Sequence, residues 1–221
     1  MAKKDDETGT VATESTGKKY VSERGPFTIW EHPKLNPPNP PEAIKDDRVA
    51  DNFQYAALAE QYGEQPTRDA ITEMIRSYGN GISTTELFSQ PTAKGMNLDH
   101  VWFGPNFPLF RHSHPAYGDC LYYILAGEII LGRRRLGAGS GFFVPKGQPY
   151  KYTAGPAGAE VLEFRADGTT ANESTFNVDE RSLDAIQRVV KEANATSEQW
   201  EGQAPNHIGD TTLRQAEIDA E

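Results

Sequence analysis

Apolar residues are spread very unevenly along this chain. Residues 1–20 are mostly Lys, Asp, Glu, Thr, Ser and Gly, a composition with too little to bury, which predicts a disordered tail. Phe27, Ile29 and Trp30 follow, then a stretch in which Pro37, Pro38, Pro40 and Pro41 rule out helix or central strand. The reading is an extended arm whose aromatic residues pack on the rest of the fold or on a neighbouring subunit. Residues 46–62 fit a short helix with Phe53, Ala56, Ala57 and Leu58 on one side. Ala70, Ile71, Met74, Ile75 and Tyr78 form a firmer stripe at helical period, with Thr67 as its cap and Gly79 as its stop. A third amphipathic helix fits 179–194, with Leu183, Ile186 and Val190 buried. Beyond about 196 the pattern predicts a polar tail.

The texture between these flanks is different. From 81 to 165 short β-rich runs alternate with glycine and proline, giving candidate strands at 82–88, 98–103, 120–125, 129–131, 141–144, 150–153 and 161–164. Short strands with frequent turn signals predict a sandwich or barrel rather than a parallel sheet with crossover helices. No internal repeat is visible, so a single barrel is expected. The organisation reads as a tail (1–20), an arm with helices (21–80), a mainly β barrel (81–166), a C-terminal helix (167–195) and a polar tail (196–221).

Composition narrows the function classes. A net charge of -10, a pI of about 5.0 and a mean hydropathy of -0.65 argue against a nucleic-acid partner or an anionic membrane surface. Arg133, Arg134 and Arg135 make too short a run to reverse that, and read as a solvated hairpin face. The single cysteine excludes an intrachain disulfide framework. The N-terminal Met-Ala-Lys-Lys-Asp-Asp-Glu lacks a secretory apolar region, and no apolar run approaches the roughly 20 residues of a membrane span. A cytoplasmic protein is expected.

The chemistry concentrates in His112-Ser113-His114-Pro115-Ala116-Tyr117-Gly118-Asp119-Cys120, followed by Tyr123-Ile124-Leu125-Ala126-Gly127-Glu128. On a strand, residues two apart share a face, so His112 and His114 project together and can grip one divalent metal. A nearby acid would complete a facial set with open positions. This segment resembles the first cupin motif, and Gly141 to Tyr150, with its Val144-Pro145-Lys146-Gly147, resembles the second. The resemblance covers roughly residues 81–166 and implies a cupin jelly-roll barrel, a double-stranded β-helix, with a metal at its mouth. Two departures stand out. Counting from the histidines puts Asp119 in the acidic-ligand slot, whereas counting back from Gly127 puts Cys120 there. Strand parity favours Cys120, and a bulge at Gly118-Asp119 would turn Asp119 inward. Tyr150 stands where the motif's last histidine usually is, as a ligand, an acid or base, or a rim tyrosine.

Tyr117, in the loop over the metal, is a candidate mobile acid or base. Trp102, Phe110, Tyr122 and Phe142 are candidate walls of an aromatic pocket, His100 reads as structural or rim-lining, and Arg111 points away from both histidines. The expected function is a metal-dependent enzyme acting on a small apolar or aromatic organic molecule. Fe(II) is the favoured ion, with Mn, Ni or Zn as alternatives. An Fe(II) dioxygenase or other oxygenase comes first, a metal-dependent lyase or isomerase with a tyrosine base second, and a non-catalytic binding barrel third. A homodimer through the barrel edge and the N-terminal arm is expected.

Overall fold

The structure is a computed structural model and describes residues 18–21, 28–90, 95–168, 176–211 and 218. The expected disorder over 1–20 falls almost wholly outside those residues, as do Phe27 and the last ten positions apart from residue 218. In chain order the elements are β1 (Lys18–Val21), β2 (Thr28–Glu31), α1 (Asp46–Asn52), β3 (Phe53–Gln54), α2 (Ala56–Tyr62) and α3 (Glu64–Tyr78). The barrel strands follow: β4 (Ile82–Ser89), β5 (Gly95–Phe103), β6 (His112–Ser113), β7 (Cys120–Leu131), β8 (Arg134–Gly137), β9 (Gly141–Val144) and β10 (Thr153–Gly168). Strand β11 (Phe176–Val178) and helix α4 (Leu183–Thr196) complete the set.

Two sheets build the barrel. The larger has the order β4-β5-β10-β7-β8, with β9 also paired to β7, and the smaller has the order β3-β11-β6. They are stitched together where residues 107–112 run antiparallel to 150–154. Leu109 N donates to Tyr152 O and Ala154 N to Phe107 O, both at 2.9 Å. His112 and Tyr150 exchange both backbone bonds at 3.0 Å. Strand β7 runs unbroken through the glycine that separates two expected strands. Gly127 has φ of 67°, and a Cβ there would lie 2.0 Å from the Gly158 carbonyl oxygen, so only glycine lets β7 and β10 stay paired.

Alternation along the central strands decides what faces inward. Arg165, Glu163 and Val161 of β10 lie opposite Cys120, Tyr122 and Ile124 of β7, and opposite Asn97, Asp99 and Val101 of β5. Ile124 and Val161 are fully buried and form the apolar floor. The ionisable residues of the same strands lie nearer the mouth.

The helices depart from the sequence reading in instructive ways. The expected helix over 46–62 is two helices, because Phe53 leaves the helical path to pair with Phe176 in β3 and β11. Helix α3 starts at Glu64, after Gly63, so Thr67 is no cap but a fully buried residue of the first turns. Its stripe of Ile71, Met74 and Tyr78 packs against α4, whose buried face is Ile186, Val189, Val190 and Ala193. Ser182 caps α4 by accepting from the Ala185 N–H at 3.2 Å, so the helix begins at Leu183, four residues later than the start expected from periodicity.

The stretch after 196 differs most from expectation. Trp200 is 1% exposed, donates from Nε1 to Pro105 O at 2.8 Å, and lies over Gly81 and Gly104, where any Cβ would come within 2.4 Å of the ring. Farther on, Gly209 and Thr211 donate backbone N–H groups to Glu160 at 2.7 and 2.8 Å. His100 meets the same carboxylate at 2.9 Å, so His100 is structural. Burial alone would raise the Glu160 carboxyl, but these hydrogen bonds outweigh it and leave it lowered. Composition marks residues 200–211 as polar, yet one indole and one buried carboxylate dock them on the barrel. Trp200→Ala is expected to cost about 3–5 kcal/mol, the range for a buried aromatic truncated to alanine. Urea denaturation checks this, and a loss below about 1 kcal/mol would show that the segment does not support the barrel.

Candidate active site

The doubled backbone bond between His112 and Tyr150 sets the two residues directly opposite each other, with their side chains on the same face. His114 stands two residues on, on that face again. This register brings three donors together: Tyr150 Oη lies 3.0 Å from His112 Nε2 and 3.1 Å from His114 Nε2. Tyr122 of β7 adds its phenol through a hydrogen bond to Tyr150 Oη. Arg165 of β10 reaches Tyr122 Oη at 3.3 Å and His114 Nε2 at 3.4 Å with Nη2, and pairs through the same nitrogen with Glu163.

Proton positions follow from the partners. His112 Nδ1 lies 2.9 Å from Phe110 O, an acceptor, so Nδ1 carries the proton and Nε2 presents a lone pair to Tyr150. Burial pulls the His112 imidazole down to about 4; the hydrogen bond to Phe110 O opposes it, and the nearby Arg165 charge adds a smaller lowering. Burial and Arg165 lower His114 still further. Both rings are therefore neutral at neutral pH, the form that ligates a metal or accepts a proton. Burial pushes the Tyr150 phenol well above its ordinary value, so it enters the cluster as O–H.

The other candidates separate cleanly. Tyr117 is half-buried, with its ring 5.7 Å from that of His114 and 5.0 Å from the Arg165 guanidinium. Asp119 does not turn inward: it is exposed and accepts from the Lys146 N–H at 2.9 Å, because no bulge interrupts the parity that it shares with exposed Leu121 and Tyr123. Cys120 faces the interior as parity requires, but burial pushes its thiol up to about 12, which keeps it protonated and a poor ligand. Trp102 is fully buried on the outer side of β5, opposite Glu160, and is not a pocket wall. Phe110 backs the His112 ring at 5.0 Å and lines another cavity, of about 240 Å³, with Tyr78 and Ile75. Phe142 stacks on Tyr122 at 4.5 Å with rings nearly parallel, holding that phenol in the cluster. Arg111 is turned away, as expected, into a surface depression beside Arg188 and Glu192.

The donor set can be tested against a metal ion. Among the described residues, no three His, Cys, Asp or Glu side chains form a group that could hold one, so the two-histidine-one-carboxylate set is not assembled. His112 and His114 do fit, each turning Nε2 to about 3 Å from one point, the Tyr150 phenol oxygen, and Tyr150, protonated like Cys120, would join them only on giving up its proton. Arg165 opposes a cation there, and its partner Glu163 offsets that charge.

A cavity of about 310 Å³ opens on the cluster, with His114, Tyr150, Tyr117, Asp99, Glu163 and Arg165 in its wall. The last two and Asp99 are absent from the sequence-level candidates. Their signal was ionisable residues at inward positions of otherwise apolar strands, beside Val101 and Val161. Burial first, and then Glu163, raise the Asp99 carboxyl to about 7. The folded chain thus holds a proton that the unfolded chain gives up from about pH 4, so this residue's contribution to stability falls as pH rises from 4 to 7. His112 has the opposite sign, resisting protonation as pH falls from 6.5 towards 4. Asp99→Asn is expected to melt above wild type at pH 8, by roughly 2–4 °C per kcal/mol recovered, with the gap closing by pH 4. Thermal melts across that range check it, and a gap independent of pH would remove Asp99 as its source.

No family model matches the sequence, and no curated protein matches it. Solved structures do. The polyketide cyclase RemF from Streptomyces resistomycificus is 20% identical over 52% of this chain and 83% of its own, with a TM-score of 0.40. KdgF from Halomonas sp. is 19% identical over 40% and 81%, with a TM-score of 0.36. An RmlC-like cupin from Shewanella frigidimarina is 20% identical over 41% and 79%, with a TM-score of 0.34. At these scores the likenesses carry no functional argument. The two sheets, joined at His112 and Tyr150, make this a mainly β barrel, and the two stretches that resemble the cupin motifs lie along it.

Proposed function

We propose that the barrel is an enzyme that moves protons on a small, largely apolar or aromatic organic molecule, as a metal-dependent lyase or isomerase. The observation behind this reading is the convergence of two neutral imidazoles on one phenol oxygen, at 3.0 and 3.1 Å, beside an aromatic cavity. The Fe(II) oxygenase reading rested on a carboxylate as third ligand. With Asp119 turned to solvent, it becomes the second choice.

His112, His114 and Tyr150 would hold the ion, whether Fe, Mn, Ni or Zn, and it would polarise a carbonyl or carboxylate oxygen of the substrate. The chain's own residues supply the rest. The hydrogen bond from Nδ1 to Phe110 O fixes the His112 ring and its tautomer. Without an ion Tyr150 O–H donates to His112 Nε2; with that nitrogen on an ion, Tyr122 O–H would remain the donor to Tyr150 Oη. Tyr117, half-buried in the cavity wall, is placed to give or take a proton at the substrate. The aromatic wall excludes water as the substrate enters.

Elemental analysis of untagged protein tests this. Near-stoichiometric metal in wild type, absent from His112→Ala/His114→Ala and reduced in Tyr150→Phe, is the expected result. Wild type that holds no metal and takes up none of the four ions would overturn the metal assignment and leave a small-molecule-binding barrel. A homodimer remains part of the proposal, supported by Leu121, Tyr123 and Phe143 lying 49%, 43% and 58% exposed on one outer sheet face. Light scattering at the monomer mass of 24.4 kDa would refute it.

A further inference from the structure

Arg165 is the least explained group in the molecule. It is 6% exposed, its contacts with Glu163, Tyr122 and His114 all run through Nη2, and Nη1 is buried with no hydrogen-bond partner among the described atoms. An unserved guanidinium nitrogen away from water is costly, because no acceptor repays its lost hydration. The guanidinium is also held in place. Glu163 and Tyr122 take Nη2, and the rings of Tyr117 and Tyr122 lie 5.0 and 5.9 Å from Cζ. Arg165 lines the cavity, and a cation fixed in this way, with a buried Nη1 unserved, becomes an anion receptor once a small side-chain shift opens that nitrogen to a ligand.

We propose that Arg165 anchors the carboxylate of a small aromatic acid in the 310 Å³ cavity. The inference rests on the reading of that cavity as a substrate site and narrows its substrate class. Charge allows only one anionic group. Arg165 is already shared with Glu163 through Nη2, so the cavity has no surplus positive charge; a monocarboxylate on the guanidinium adds one net negative charge and a dianion two, which limits the ligand to a single carboxylate. Among the described residues lining the cavity, Arg165 is the sole Lys or Arg. Size agrees: about 310 Å³ lies at the small end of the roughly 300–1,000 Å³ range of ligand pockets, enough for one ring and a short side chain. Shape agrees as well, because Phe103, Tyr117, Tyr150, Tyr152 and Phe176 line the remaining wall. A ring among them would carry its carboxylate towards Arg165 and leave the adjacent carbons facing the His112–Tyr150–His114 cluster.

Calorimetry with benzoate, and with benzamide as its neutral counterpart, tests the anchor on full-length protein whose metal content is measured in the same samples. Wild type is expected to bind benzoate about tenfold or more tightly than benzamide. Glu163→Gln/Arg165→Gln, which removes both charges together and strands neither, is expected to lose that preference while keeping its metal. Arg165→Lys, which keeps the charge but not the fork, is expected to lose part of it and guards against misfolding of the double variant. No benzoate binding to wild type, or an undiminished preference in both variants, overturns the anchor. Benzoate binding lost in His112→Ala/His114→Ala but retained in the Arg165 variants also overturns it, and supports the metal reading instead. Metal-free wild type that still binds benzoate through Arg165 refutes the metal and upholds the anchor.

Discussion

The pair of backbone hydrogen bonds between His112 and Tyr150 is where fold and site become one problem. Residues 107–112 run into β6 of the small sheet and residues 150–154 into β10 of the large one, and their pairing joins the two sheets and closes the barrel. In an antiparallel ladder a doubly bonded pair has its side chains side by side. The closure that buries the apolar floor of Ile124 and Val161 therefore also puts the Tyr150 phenol against the His112 ring. A register slip of one residue would turn both histidines away from the interior. The geometry of the cluster follows from the hydrogen-bonding of the barrel.

Much of this was legible in the sequence, for identifiable reasons. The His-x-His spacing carries its own geometry on a strand, and the Val-Pro-Lys-Gly turn followed by Tyr150 locates the opposing residue. Strand parity placed Cys120, Tyr122 and Ile124 on one face, as the register does. The error over Asp119 came from preferring ligand chemistry to parity. A bulge had to be invented to turn the carboxylate inward, while the backbone instead uses it to hold the Lys146 turn. Trp102 misled because burial says nothing about which side of a strand a ring occupies.

The segments that stayed illegible depend on contacts distant in sequence. Nothing local in residues 196–211 marks them as docked. Their attachment depends on Glu160, some 50 residues away, and on two glycines whose missing side chains leave a slot for the Trp200 ring. The break of the first helix at Phe53 likewise requires β11 as a partner. Arg165 was missed for a related reason. In the sequence it is one charged residue at a strand end, and only the pairing of β10 with both β5 and β7 reveals that it points into the interior.

A barrel interior has a cheaper solution than the one found here. Burying Arg165 with Glu163, Asp99 and two neutral histidines costs desolvation that an apolar core of the same volume would avoid, and such pairs seldom repay it in stability. The opposite end of the same strands shows that alternative, with Ile124 and Val161 packed without polar atoms. Polar residues therefore persist at one end of otherwise apolar strands, and their unsatisfied atoms, Arg165 Nη1 and His114 Nδ1, lie together there. Buried atoms without partners also occur elsewhere among the described residues, at Thr67, Trp102 and Thr211, but at this cavity they stand beside neutral imidazoles and protonated phenols, where local rules are broken together. That contrast between the two ends of the barrel is the physical ground for assigning chemistry to this cavity rather than to the apolar one behind Phe110.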